Sequence, residues 1–336
     1  MHRIGRIYRR KEVRLYMHIQ LRSQSTTQLS ITCVCLHKAR GARRQACSQA
    51  AGKNKLSDMS GIILTDEQIA HFDDEGFLIL RASEHGLIDT EVLKTWTNEV
   101  RNLPREHGKW MPYDEITESG ERQLMRTENF VDYHSGFSSL LNGQPIKSIL
   151  KQLTRDDMLL FKDKINYKLA GGNGFGAHLD APAYDHIEEI EHTTANLAVD
   201  PATLENGCVE VVPKSHRMKV ELAEGGRIDP AWEARQQWVP VELESGDLLI
   251  FGSHLAHRSK RNATSNPRAS IYATYHNVSD GTDLKERYYK DRRENFPPDH
   301  ERIPGKDYGA GVKRYAFAAP FTKIEEPSKV QVQHVA

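Results

Sequence analysis

Cysteine is scarce in this chain, and what there is gathers at one end. Four cysteines occur in 336 residues, and Cys33, Cys35 and Cys47 all fall in the first 58. Only Cys208 remains beyond them, so the body of the chain cannot close an internal disulfide and suits a reducing compartment. Cys33-x-Cys35 with a distant Cys47 lacks the paired Cys-x2-Cys spacing of a structural zinc site. Long apolar runs are missing too. None reaches the length of a membrane-spanning helix, so no membrane partner is expected. The glycines of Gly171-Gly-Asn-Gly174 are not followed by a helical period, which excludes a dinucleotide fingerprint there. The ending Gln333-His-Val-Ala336 is not a Ser-Lys-Leu peroxisomal address.

Acidic residues are absent from the beginning rather than from the whole. Residues 1–58 carry 13 Lys and Arg against Glu12 and Asp58 alone. Such a basic, aperiodic stretch reads as an upstream start, with translation beginning at Met59; a mitochondrial transit peptide is the alternative. The expected organisation is a disordered extension over 1–58, one domain over 59–325 and a tail over 326–336. The expected location is cytoplasmic, or mitochondrial if the extension is a transit peptide. The remaining residues hold 33 basic against 44 acidic side chains. A body that acidic is a poor nucleic-acid binder, which leaves a small molecule as the expected partner.

Helical signals come first along the chain. Thr65-Asp-Glu-Gln68 is a capping box, and Gly76 stands where a left-handed residue closes a helix. Phe77–Leu80 reads as a buried strand. Val92, Leu93, Trp96 and Val100 share one face of a second helix, and a third spans about Gly136 to Leu153 with a break at Gly143-Gln-Pro145. Arg126-Thr-Glu-Asn129, between the second and third, is expected to form a surface ion pair, with a substrate-facing role as the alternative. From Met158 the period becomes two. Phe161, Ile165 and Tyr167 occupy one face of a strand, and Lys162, Lys164, Asn166 and Lys168 the other. That polar face either meets solvent or lines a cavity. Further short strands hold Thr194 and Asn196, Cys208–Val212, Val239–Leu243, Asp247–Phe251 and Ala269–Tyr275. About eight short strands with long connections and a few leading helices predict a mainly β fold, a double-stranded β-helix or jelly roll.

Within this pattern, His178-Leu-Asp180 and the later His257 supply two imidazoles and a carboxylate. That set occupies one face of an octahedral Fe(II) and leaves the other open for a bidentate co-substrate and O2. In an extended strand His178 and Asp180 share a side, with Leu179 turned away. A hairpin with turn residues Asn262, Ser265, Asn266 and Pro267 would set Arg268 on the strand beside His257. Its planar fork suits a carboxylate. The pattern therefore points to a non-haem iron oxygenase that uses an α-keto acid.

Residues from about 61 to 280 resemble the phytanoyl-CoA dioxygenase family of Fe(II)/2-oxoglutarate oxygenases. The resemblance rests on Leu64-Thr-Asp-Glu-Gln68 with Gly76-Phe77, His178-Leu-Asp180, Glu205-Asn-Gly207 through Pro213-Lys-Ser-His216, Gly246-Asp247, and His257-x-Ser259-x-x-Asn262-x-Thr264 with Arg268. It implies Fe(II) at His178, Asp180 and His257, the distal carboxylate of 2-oxoglutarate on Arg268 with Ser259, and Asn166 near the co-substrate. One departure is Lys214, where the family usually has glycine. The implied reaction is hydroxylation, with O2 consumed and succinate and CO2 released.

The lysine face hints at an anionic substrate such as a phosphonate, a carboxylate or a CoA thioester, with Lys164, Thr194 and Asn196 as candidate contacts; within the family, the stretch from Lys164 to His178 and Arg126-Thr-Glu-Asn129 resemble small-molecule hydroxylases of the 2-aminoethylphosphonate type. An acyl-CoA hydroxylase and an inactive jelly-roll binding protein are the alternatives. Asp283–Asn295 carries charge pairs four residues apart and reads as an exposed helix, a lid or a homo-oligomer contact.

Overall fold

The computed structural model describes residues 61–223 and 226–320, so the expected 1–58 extension and 326–336 tail lie outside the described residues. Eleven strands carry the fold: β1 (Phe77–Leu80), β2 (Met111–Ile116), β3 (Arg122–Glu128), β4 (Met158–Lys168), β5 (Phe175–His178), β6 (His192–Ala198), β7 (Val209–Val211), β8 (Val239–Val241), β9 (Leu248–Gly252), β10 (His257–Ser259) and β11 (Arg268–Asn277). The larger sheet runs β1-β9-β6-β11-β4-β3-β2 and the smaller β5-β10-β7-β8. All named pairings are antiparallel. The non-consecutive strand order is that of a double-stranded β-helix, as the sequence predicts.

The helices form as their signals require. Thr65 and Gln68 exchange reciprocal cap bonds, and Gly76 adopts φ +85° while its N–H donates to the Phe72 carbonyl. A Cβ at Gly76 would lie 2.4 Å from His216, so glycine serves both the turn and the packing. The predicted break at Gly143 separates helices Ser135–Leu141 and Gln144–Thr154. Leu93, Val100, Phe137, Ile149 and Leu153 from these helices join Ile165, Tyr167, Ile271, Ala273 and Tyr275 in one core on the outer face of the larger sheet. Val92, expected on that face, is exposed instead. Lys214 takes the left-handed turn usually given to glycine, at φ +66°, and its ammonium pairs with Asp74 at 2.7 Å.

Three expectations are corrected. First, β4 does not alternate throughout. Thr274 faces Lys162 and Tyr275 faces Leu160, which leaves Phe161 unpaired as a bulge. Phe161 therefore packs with Tyr184 and Tyr288 rather than with Ile165 and Tyr167. Second, β10 and β11 form no hairpin. They belong to different sheets, so Arg268 is not on a strand beside His257. Third, Leu284–Asn295 is not an exposed helix. It buries Leu284, Tyr288, Tyr289 and Arg292 against the barrel. Arg287 there pairs with Glu188.

Candidate active site

β5 and β10 run side by side in the smaller sheet, with His178 and His257 as directly opposed residues. Their ring centres lie 4.1 Å apart. β5 ends at His178, and Asp180 adopts φ −77°, ψ −35° at the start of a short 3-10 turn over Ala181–Ala183. Strand alternation is therefore not what turns Asp180 inward. The turn does it, pinned by the Asp180 N–H donating to the Ser253 carbonyl at 3.0 Å. Leu179 faces away, as predicted, into a cluster with Ala177, Val212 and Trp232.

One ligand atom from each of His178, Asp180 and His257 lies within 4.8 Å of the others, and these are the residues that could hold a metal ion. Both imidazoles are prepared for that role. The Nδ1 of His178 lies 2.7 Å from the Gly176 carbonyl, and that of His257 lies 2.9 Å from the Leu255 carbonyl. A backbone carbonyl only accepts, so each Nδ1 carries the proton and each Nε2 is left with its lone pair. Burial, reinforced by His257, pulls His178 down to about 3, and burial lowers His257 as well. Burial opposes ionisation of Asp180, yet His257 and Lys164 outweigh it and hold the carboxyl well below its usual range. Two neutral imidazoles and one carboxylate are the donor set that an iron(II) site of this type needs.

The polar face of β4 points inward. Ala269, Ile271 and Ala273 of β11 belong to the outer core, so Arg268, Ser270, Tyr272 and Thr274 turn toward the smaller sheet. Register then aligns Asn166 with Ser270, Lys164 with Tyr272 and Lys162 with Thr274. Lys162, Lys164, Asn166 and Lys168 are all at most 9% exposed, so the solvent reading of this face fails and the face lies inside the fold. Neither Lys162 nor Lys164 makes a hydrogen bond or ion pair among the described residues. Lys164 lies 4.8 Å from the Tyr272 ring centre, and Lys162 lies 5.3 and 5.2 Å from those of Tyr184 and Tyr288. Burial and then Arg126 pull Lys164 down to about 8, and burial takes Lys162 well below the ordinary lysine range. Thr194 bonds Thr274 between hydroxyls at 3.0 Å, and Asn196, on the same face, has its Oδ1 unpartnered.

Arg268 is buried at the start of β11. Nε donates to the Asn206 carbonyl at 3.1 Å, Nη1 to the Ser270 hydroxyl at 3.1 Å and Nη2 to the Gly207 carbonyl. Lys168, its partner in register on β4, donates to the same Gly207 carbonyl at 3.0 Å and to Ser259 Oγ at 2.8 Å. Two cations thus share neutral acceptors. Lys168 joins the candidate group of Arg268, Ser259 and Asn166, and the strand alternation that selects Asn166 also selects Lys168.

Arg126 and Glu128, expected at the surface, are buried. Arg126 donates to Asn166 Oδ1 at 2.8 Å and to Glu128 at 3.0 Å, while Arg292 from the C-terminal helix holds Glu128 with bonds of 2.7 and 2.8 Å. The charge sequence of Arg126-Thr-Glu-Asn129 could not reveal this, because the partner lies more than a hundred residues away.

Two imidazoles and a carboxylate converging within a double-stranded β-helix are the donor set of the non-haem iron oxygenases. Residues 72–270 match the family model described as phytanoyl-CoA dioxygenase (PhyH). The 2-aminoethylphosphonate dioxygenase of uncultured bacterium HF130_AEPn_1 is 36% identical over 258 residues, covering 76% of this chain and 98% of that protein. The methylphosphonate hydroxylase of Gimesia maris is 39% identical over 236 residues, covering 69% and 88%. The fold of EctD from S. alaskensis, solved with 2-oxoglutarate and 5-hydroxyectoine, superposes with a TM-score of 0.56 at 20% identity, over 66% of this chain and 78% of that one. The chain belongs to the phytanoyl-CoA dioxygenase family, and it is a dioxygenase dependent on Fe(II) and 2-oxoglutarate.

Proposed function

We propose that this enzyme hydroxylates a small organophosphonate, with Fe(II) held by His178, Asp180 and His257. The observation that carries the substrate class is the pair Lys162 and Lys164, two buried amino groups with no hydrogen-bond acceptor among the described residues. Leaving such groups unpaired is costly, and an anionic ligand removes the cost. The named activities of the two phosphonate relatives support the same class. An acyl-CoA would bring a long apolar chain to a face built of lysine, asparagine and threonine, which favours the small anion over that alternative.

The residues divide the work by position. Arg268, with Lys168 and Ser259 beside it, takes the distal carboxylate of 2-oxoglutarate and exchanges neutral carbonyl partners for a charge-assisted pair. Asn166, fixed by Arg126, stands next in the inner row to orient the co-substrate. His178 and His257 present Nε2 because backbone carbonyls occupy Nδ1. Lys164 and the Thr194–Asn196 strand hold the substrate within reach. Iron with 2-oxoglutarate and O2 supplies the oxidising power, 2-oxoglutarate leaving as succinate and CO2 while one oxygen atom enters a substrate C–H bond. Among the described residues no helix is long and apolar enough to cross a membrane. The free, buried Cys208 supports a reducing setting, cytoplasmic or mitochondrial.

The test is succinate release from 2-oxoglutarate by the Fe(II)-loaded enzyme, with 2-aminoethylphosphonate, methylphosphonate, amino acids and acyl-CoAs offered in turn. Phosphonate-stimulated release supports the proposal. Stimulation by an acyl-CoA and by no phosphonate would reject it.

A further inference from the structure

The family match ends at residue 270, but the polypeptide around the inner face does not. Helix Leu284–Asn295 lies beyond it and places Tyr288 against Lys162, with the ammonium 5.2 Å from the ring centre. The Tyr288 hydroxyl is buried and has no hydrogen-bond partner. Across from it, Tyr184 completes the aromatic enclosure of Lys162, and its ring lies 4.9 Å from that of His192. His192 is 2% exposed, neither ring nitrogen makes a hydrogen bond of good geometry, and the Ile190 backbone acts on the ring. Phe161, turned inward by the β4 bulge, packs on both His192 and Tyr288 at 4.6 and 4.9 Å. One stretch of the buried interior therefore gathers the Lys162 amine, the Tyr288 phenol and the His192 imidazole, and neither Lys162 nor Tyr288 has a hydrogen-bond acceptor among the described residues.

Buried polar atoms are almost always satisfied, so a group of them left open in one place marks a ligand's position. The helix that brings Tyr288 is not free to swing. Arg292, four residues on and so on the same face, clamps Glu128 with two bonds, and Glu128 is the register partner of Lys164. The hydroxyl is thereby held on the same structural unit as the lysines. The number of donors distinguishes head groups. A carboxylate offers two oxygens in a plane, whereas a phosphonate offers three in a tetrahedral arrangement.

We propose that Tyr288 and His192, together with Lys162, form the seat for the substrate's tetrahedral oxyanion, and that the C-terminal helix is the specificity element which selects phosphonate over carboxylate. This rests on the phosphonate reading above and names the residues that enforce it.

The experiment is calorimetric titration of the full-length enzyme, loaded with Fe(II) and 2-oxoglutarate and kept free of O2. The probes are methylphosphonate and 2-aminoethylphosphonate, compared with acetate and β-alanine. The wild-type enzyme should bind the phosphonates, and Tyr288→Phe should weaken that binding about ten-fold, as expected for losing a hydrogen bond to a charged group. Carboxylate binding and 2-oxoglutarate affinity should not change. His192→Gln, read in the same way, decides the matter if Tyr288→Phe lowers the melting temperature enough to cloud the comparison. Phosphonate binding by the wild type that neither substitution weakens would overturn the seat and leave the phosphonate reading standing. Failure of the wild type to bind either phosphonate would overturn both.

Discussion

His178 and His257 are a directly opposed pair on adjacent antiparallel strands, each with Nδ1 bonded to the carbonyl two residues before it. The site's two nitrogen donors are thus fixed by a ladder and by local backbone, and they do not depend on a ligand for their orientation. Asp180 alone is held by a turn.

The first prediction concerns that carboxylate. Asp180→Ala should leave the ladder intact and remove the one anionic donor. Iron content should fall, and succinate release should drop by more than about 100-fold, since even losing a partner behind a metal ligand costs 10–100-fold. Iron analysis and the succinate assay on the same preparation check this. A variant that retains full iron and turnover would remove Asp180 from the metal site.

Arg268 leads to the second. Arg268→Gln keeps hydrogen-bonding capacity but loses the charge and the fork. The apparent KM for 2-oxoglutarate should rise roughly 10–100-fold, the range of a charge-assisted bond lost in a buried site. Thermal shift gives a second readout: 2-oxoglutarate should raise the melting temperature of the wild type more than that of the variant.

Lys164 separates function from stability. Its amine is buried without a hydrogen-bond acceptor while its charge balances that of Asp180, so Lys164→Met should change the melting temperature little. Substrate-stimulated turnover should nevertheless fall by about ten-fold or more, because the bond lost is one to an anion. Loss of stability together with unchanged turnover would assign Lys164 a structural role.

The fourth prediction is a pH dependence of the metal-free protein. Burial pulls His178 down to about 3 and His192 down to about 4, with His257 lowered too. The unfolded chain binds these protons near the ordinary imidazole value, so between there and the folded values it binds more protons than the native state. Stability is therefore full above about pH 6.5 and is lost as the pH falls toward 4, on the order of 2 kcal/mol per strongly shifted histidine by pH 5. Urea unfolding of chelator-treated protein at pH 7.5 and pH 5 measures the difference. Equal midpoints would contradict neutral, buried imidazoles.

Local rules are written in the sequence because they act between near neighbours. The Thr65–Gln68 capping box, the Gly76 closure, the Gly143 break and the strand containing Lys164 and Asn166 all form as read. The candidate donors His178, Asp180 and His257 are also legible by residue type and order, and the structure brings them within reach of one ion. What tertiary structure decided were the relations between distant segments. It put β10 and β11 in opposite sheets, because strand pairing depends on the whole barrel and not on the turn between two strands. It turned Phe161 inward through a bulge that exists only against β11. It buried the lysine face of β4, where period two marks a polar side but cannot say whether water or a cavity lies beyond it. And it carried Arg292 from a charged helix to a buried carboxylate on β3, a pairing that neither local sequence records.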